Sequence, residues 1–571
     1  MPPPQLPAGV PIGTTIAQLV QSWINQHSNA VSHICDVLLS FTDPALQANR
    51  QALIDYCTND LVPAVTVIAN SPQYIQSALS ERLANAGILP MFGFPTRTRY
   101  LYHDRPQAFP WPPENVIDRD LDIAISQFGP GGETVKDGLI HTSVGVVSYT
   151  PQGNRVTEEP NPLGPTIRVG MCRSCQAVDG SPQPAASCVV CGTTPNQDPG
   201  YEIVALSQPA GFRTWYGRSR DFDGAFEWTP RASRPKLGVT PLAFTPRANF
   251  EVWCGEESIY IVNDNDGRNF TFEKLATGET WVTRDALRSI ELTDAEITRS
   301  LDQAIPAEVR ALASVKRTDV MVVGIHSWPV GLRRSPAGVE GLELRAALFS
   351  FGFLFRRAAA DYLDVHEWEI RVGLRTLRAP SGDIIGQVFL SDALENGAGY
   401  ASLIGQPHET ESLLQYVLGL PPHSGSFHSV FVSNTHGALG PDGCRTSCPD
   451  CLRDYGNLPY HSILDWRLGM DIARLALDPR AALDFSVSYW QGLDALVAGP
   501  YFAALPGWQP LTFAGLQAGQ RANLVEIITH PLWSHDLNNL CPQLAAAYAQ
   551  AVAAGNQVKF KSIFEVMRRP F

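Results

Sequence analysis

Four cysteines in two C-x-x-C pairs, Cys172 with Cys175 and Cys188 with Cys191, are the strongest chemical signal in the chain. Twelve residues separate the pairs, enough for the backbone to fold back and gather four thiolates on one ion. Zinc takes such a set tetrahedrally at about 2.3 Å, and four thiolates leave no position open for substrate. The expectation is a structural zinc ribbon. Gly180, Pro182 and Pro184 in the connection, and Gly192 after the second pair, suit tight turns.

A second group, Cys444-x3-Cys448-x2-Cys451, supplies three thiolates and needs a fourth ligand to close. His436 lies just upstream and is the favoured donor; His461, Cys254 and Cys541 are the other candidates. A redox-active C-x-x-C is the rival chemistry. The third cysteine ahead of the pair fits metal better. Two structural zinc sites are therefore expected.

The chain has 11 cysteines, an odd number, with seven in these spacings. That pattern fits metal thiolates in a reducing compartment better than disulfides. The start, Pro2 to Pro11, has neither the basic head nor the apolar core of a signal peptide. No run of about 18 apolar residues is seen. A cytoplasmic chain with no membrane partner is expected.

Other chemistry is thinner. Asp361, Asp364, Glu367, Glu369 and Asp392 offer carboxylates for a metal-dependent nuclease, without a known motif around them. No G-x-x-x-x-G-K-[ST] loop exists to cradle nucleotide phosphates, and no helicase-type acidic motif follows a strand. No ATPase activity of its own is expected. Asn263 to Leu275 has a calcium-loop look, but Lys274 stands where an EF-hand needs a carboxylate. Asp266-Gly267 reads as the turn of a hairpin. Gly397 and Gly399 open a strand-to-helix turn that either holds a phosphate or is simply a turn braced by Asp392 and Glu395. Arginines cluster at Arg97 and Arg99, at Arg213, Arg218 and Arg220 around Trp215 and Tyr216, at Arg333 and Arg334, and at Arg356 and Arg357. Arginine interleaved with aromatics can hold phosphates and stack a base. Arg97, Arg99, Arg213 and Arg218 are the candidate DNA contacts, against the plainer reading of solvated, salt-bridged edges.

The elements that must hold these groups follow from periodicity. The 571 residues carry 43 Lys+Arg against 56 Asp+Glu, a net charge of −13, with 44% hydrophobic residues. That balance excludes a disordered chain and a histone-like DNA binder. It leaves room for a local basic groove. Ile16, Leu19, Val20 and Trp23, then Leu46, Leu53 and Ile54, recur at helical spacing. From about 117 to 280 short β-branched runs dominate. Thr293-Asp-Ala-Glu296 is a capping box. Beyond it come a strand at 320–325, a long helix at 342–362, strands at 368–374 and 384–390, a helix at 411–418, a strand at 429–432 and a helix from 463 to 475. Val558 to Met567 reads as a strand or edge segment.

The stretch "GCRTSCPDCLRDYGNLPYHSILDWRLGMD", Gly443 to Asp471, resembles the cysteine motif of a bacterial family of domains of unknown function, number 1998. Leu83 to Tyr102, Arg119 to Val146, Ile261 to Phe272 and Phe389 to Tyr400 resemble the same pattern in its free-standing form, the DrmB subunit family of DISARM anti-phage systems. The resemblance spans about 80 to 475. It implies a non-motor subunit that works beside a helicase partner, DrmA, on invading DNA, binding it and stimulating or steering the motor. The rival readings are the nuclease above and a scaffold that only stabilises its partner.

The expected architecture is a mixed α/β, multidomain chain. Residues 1–86 form a helical block. Residues 87–280 form a β-rich domain with an inserted ribbon at 170–193. Residues 281–571 form an α/β domain with a zinc knuckle at 436–461.

Overall fold

The computed structural model describes residues 15–40, 47–71, 79–86, 88–89, 97–224, 234–433, 436–439 and 443–568. The chain divides into two units, Met1–Arg97 and Thr98–Phe571.

The first unit is helical, as its periodicity predicts. Helix Ile16–Gln26 starts on a capping box between Thr15 and Gln18. Helix Ser28–Leu39 follows, and Arg50 joins it to the next helix by bonds to Asp36 and Ser32. From Arg50 to Asn70 the chain stays helical through a π turn at Tyr56–Asp60. This 21-residue helix, with an 18-residue window of mean hydropathy 1.2, is long and apolar enough to cross a membrane by length and composition. It is not an unbroken apolar run in the sequence, because Asp55 and Asp60 lie inside it. Gly87 and residues 90–96, part of the Leu83–Tyr102 stretch of the resemblance, lie outside the described residues.

The second unit is mixed α/β, built on the 18-residue strand Glu308–Ile325. Strand Phe250–Asn263 pairs antiparallel with it, from Phe250 opposite Ile325 to Asn263 opposite Leu312. Ile384–Asp392 also pairs with it, and Ile370–Arg378 pairs with Ile384–Asp392 in turn. The expected boundary at 280 is not a break. The pairing of 250–263 with 308–325 crosses it, and strand Trp281–Thr283 joins Leu139–Val146.

Helix Leu342–Leu363 covers the 370–392 strands. A Cβ at its Gly352 would sit 2.6 Å from Val372 and 3.0 Å from Val388, so glycine sets how closely helix and sheet approach. Helix Trp466–Leu477 packs on the same helix, and both enter one core with Phe351, Phe355, Leu468 and Ile472.

Two local expectations fail between residues 260 and 440. Asp266-Gly267 does not turn a hairpin: its flanking strands, 250–263 and Phe270–Lys274, both pair with Glu308–Ile325 and not with each other. Residues 264–269 loop out between them. The run at 429–432 is helical, within Ser426–Val432, because Phe427 and Phe431 at i and i+4 both enter the core.

The C-terminal part, whose sheet the sequence reading did not bring out, has strands Gln509–Phe513, Leu516–Arg521, Leu524–Thr529 and Gln557–Ser562. Helix Ile563–Arg568 continues the segment expected to be a strand. This sheet is tied back by Arg333 N–H to the Leu532 carbonyl at 2.8 Å and Ser534 N–H to the Gly331 carbonyl at 2.7 Å.

Candidate metal centres

The first cluster begins at the end of strand Thr166–Cys172. Each C-x-x-C pair forms the same turn. Gln176 N–H returns to the Cys172 carbonyl at 2.9 Å, and Cys172 N–H to the Ala177 carbonyl at 3.0 Å. In the second pair Gly192 N–H returns to Cys188 at 2.8 Å, and Cys188 N–H to Thr193 at 2.9 Å. Both turns need positive φ at the residue after the second cysteine: 65° at Gln176 and 77° at Gly192. Glycine supplies that at no steric cost; Gln176 is held there by its side-chain bond to the Arg173 carbonyl at 2.8 Å.

The two turns face each other. Cys172 and Cys191 sulfurs lie 3.5 Å apart, Cys175 and Cys188 3.6 Å, and all four are within 4.8 Å of one another. A tetrahedral ion with 2.3 Å bonds needs sulfurs about 3.8 Å apart. The donor set therefore fits zinc. Hydrogen bonds from Cys175 and Cys188 hold Cys172 far below the ordinary thiol range, while the bond to Cys172 pushes Cys175 up. The cluster is anchored to the central sheet: Thr376 hydroxyl donates to the Cys175 carbonyl at 2.7 Å, and both residues are buried.

In the second cluster His436 is the fourth donor. His436, Cys444, Cys448 and Cys451 place one donor atom each within 4.8 Å of the others. Cys448 and Cys451 sulfurs are 3.7 Å apart, Cys444 and Cys451 3.9 Å, and His436 Nε2 is 3.5 Å from Cys448 Sγ. Mixed Zn–S and Zn–N bonds predict about 3.6 Å for that last separation. Burial opposes charge on the imidazole; the contacts to Cys451 and the Phe431 carbonyl outweigh it and raise the pKa of His436. His461 is turned elsewhere, with Nε2 on the Asp454 carbonyl and Asn457 Oδ1. Cys254 touches Gln406. Cys541 starts helix Pro542–Ala553.

The outer contacts of this cluster come from the core helices, and sequence reasoning missed them. Arg357 donates to the Cys451 carbonyl at 2.6 Å. Trp466 Nε1 and Arg467 Nη1 reach the Cys444 carbonyl at 3.2 and 3.3 Å. Arg467 is 1% exposed and lies 4.4 Å over the Trp466 ring. Of the arginine group Arg356 and Arg357, Arg356 pairs with Glu367 and Asp454.

Of the candidate DNA contacts, Arg99 and Arg213 lie on paired parallel strands, Thr98–Tyr102 and Phe212–Thr214. Arg97 and Arg99 are each 9% exposed, and Arg99 donates to the Pro209 carbonyl at 2.6 Å. Arg213 and Tyr216 are brought together, the guanidinium 3.8 Å over the ring. Arg218 is exposed and reaches the Ile290 carbonyl at 3.3 Å. Arg220 pairs with Glu133.

The carboxylates at 361–392 do not converge. Among the described residues, His, Cys, Asp and Glu side chains gather as a possible ion site in the two clusters alone. Asp392, fully buried, accepts backbone N–H bonds from Ala398, Tyr400 and Ala401 at 2.6, 3.1 and 2.9 Å. The amides of the Gly397–Gly399 turn that a phosphate would need are thus already used. Glu369 takes Tyr400 hydroxyl, and Asp361 takes Tyr416 hydroxyl.

The calcium-like loop is filled by a side chain. Arg173, inside the first C-x-x-C, reaches Asp264 at 3.1 Å, the Gly267 carbonyl at 3.2 Å and Glu202 at 3.3 Å.

No protein-family model matches this sequence, and no curated protein matches it. Two solved structures are similar. One is a crystal structure of the DUF1998 helicase MrfA bound to DNA, 11% identical, covering 63% of this chain and 32% of that one, with a TM-score of 0.30. The other is the same helicase bound to DNA and AMPPNP, 9% identical, covering 57% and 35%, with a TM-score of 0.19. The chain spans about a third of the length of the helicase chains it is similar to.

Proposed function

We propose that this chain is a zinc-stabilised, non-motor subunit of a DNA helicase or translocase complex, of the DrmB type in DISARM anti-phage defence. It acts in the cytoplasm beside the helicase DrmA and contributes to DNA binding. Zinc is held by Cys172, Cys175, Cys188 and Cys191, and by His436, Cys444, Cys448 and Cys451. Both sets are closed, so the ions stabilise the fold and take no part in chemistry.

The observation that carries this reading is the Gly443–Asp471 segment. The residues that resemble the family motif are the ones the fold uses: three give thiolates, and Trp466 and Arg467 clamp the Cys444 carbonyl. Of the carboxylates a nuclease would use, Asp361, Glu369 and Asp392 accept internal hydrogen bonds and Glu367 pairs with Arg356.

The test is co-expression with the neighbouring helicase and measurement of its DNA-stimulated ATPase with and without this chain. Higher activity with the chain present is expected. ATP hydrolysis by the purified chain alone, or an unchanged motor, overturns the reading.

A further inference from the structure

Three clefts open on the Thr98–Phe571 unit. One, of about 500 Å³, includes Asp361 and Glu367 in its wall; another, of about 280 Å³, includes Asp484. The third, of about 640 Å³, has no carboxylate. Its wall is Arg105, Gln107, Ala108 and Phe109 on one side and Asn154 and Arg155 on the other. In a chain of net charge −13, two arginines on an acid-free cleft form a local exception to the repulsion any polyanion meets.

The two sides are built differently. Strands Tyr149–Gln152 and Arg155–Glu158 form a hairpin with Gln152 opposite Arg155 and a two-residue turn at Gly153-Asn154. Gly153 takes the positive φ, 61°, that such a turn needs. Arg155 therefore stands at an exposed tip and has no partner among the described residues. Opposite, Arg105 Nη2 reaches the Val156 carbonyl at 3.4 Å, one residue beyond Arg155, and both arginines line the cleft. Phe109 is 68% exposed, a large apolar ring left in water. Behind the cleft a layer of Tyr102, Tyr149, Trp111 and Tyr216 packs tightly. Tyr149 and Tyr216 hydroxyls are 2.7 Å apart, and Arg213 lies on Tyr216.

We propose that this cleft binds single-stranded nucleic acid, with a base stacked on Phe109 and neighbouring phosphates held by Arg105 and Arg155. An exposed ring and two arginines on one cleft are the arrangement that takes an unstacked base and its backbone. Duplex bases stack on one another and cannot use the ring, and an acidic peptide has no need of it. The inference rests on the accessory-subunit reading and gives that reading a contact surface.

The test uses the full chain and a fluorescein-labelled thymidylate strand of about 15 nucleotides, followed by anisotropy. R105A/R155A is expected to weaken binding tenfold or more at about 0.1 M salt, and to lower the slope of log K against log salt by about 1.4. F109A is expected to weaken binding at least about fivefold with the slope unchanged. Poly-glutamate and a duplex of equal length should compete poorly. Arg155→Glu is the second variant, and melting temperature and zinc content equal to wild type show that the variants fold. The cleft is overturned if the wild-type chain does not hold the strand, if the variants bind as wild type does, or if poly-glutamate displaces the strand as well as unlabelled thymidylate does. Helicase ATPase separates the two claims. Stimulation that persists while the cleft variants bind normally sinks only the cleft. Cleft-dependent binding without stimulation sinks only the accessory role.

Discussion

His436 Nδ1 lies 2.9 Å from the Phe431 carbonyl, while Nε2 lies 3.5 Å from Cys448 Sγ. A carbonyl only accepts, so Nδ1 carries the proton and Nε2 presents its lone pair to the cysteines. Outer contacts of this kind orient a histidine ligand before the metal arrives. His436→Ala should lower zinc from about two ions per chain to about one by elemental analysis, and His436→Cys should restore it. Cys188→Ser should lose the other ion together with soluble protein, since the ribbon is anchored under Thr376. Folded Cys188→Ser protein with unchanged zinc contradicts the first site.

Asp392 is the carboxylate most easily mistaken for a catalytic one. Burial raises its pKa, and three backbone amides oppose that rise. Removing it strands those amides in the interior. Asp392→Ala should lower stability by about 2–4 kcal/mol in urea unfolding. Mg²⁺ should not stabilise the wild-type chain in the same assay. A magnesium-dependent gain in stability that Asp392→Ala abolishes would restore the nuclease reading.

Arg173 and Gly267 form a lock between the ribbon and the 264–269 loop. A Cβ at Gly267 would fall 2.5 Å from Arg173 Nη1, and the backbone there has φ of 90°. Gly267→Ala should therefore destabilise by about 1–3 kcal/mol, through both strain and displacement of the guanidinium. Since Arg173 already supplies the positive charge, millimolar calcium should leave the wild-type melting temperature unchanged. A calcium-dependent rise would show that the loop takes a metal after all.

These cases show where sequence reading succeeds. Tight cysteine spacing is local and chemically constrained, so all seven clustered thiols were legible, and His436 was a short-range choice. The Thr293–Glu296 capping box, equally local, forms as expected. The Asp266-Gly267 turn was misjudged because the partner of both its flanking strands lies some forty residues downstream, in Glu308–Ile325. The arginines were misjudged for the same reason. Nothing near Arg99 or Arg356 in the chain says that Pro209 or Asp454 will meet them. Burial of a charge is decided by tertiary partners, which local pattern does not carry.

His535 gives a pH dependence of known sign. Burial, and then the charge of Arg333 beside it, push its pKa down to about 3 from an ordinary 6.5. Its Nε2 meets Thr529 hydroxyl at 2.9 Å, and Arg333 Nη2 lies 3.2 Å from Nδ1, so the folded chain holds the ring neutral. The unfolded chain takes up a proton as pH falls below 6.5, and the folded chain does so only near 3. The unfolded state thus binds more protons in that window, and stability must decline as the pH drops through it. The contribution is complete above 6.5 and gone below about 3. His535→Gln keeps a hydrogen-bonding side chain but cannot titrate. Urea midpoints measured from pH 7.5 down to about 4 should fall less steeply for His535→Gln than for the wild-type chain. Parallel curves would mean that His535 has the same pKa in the folded as in the unfolded chain.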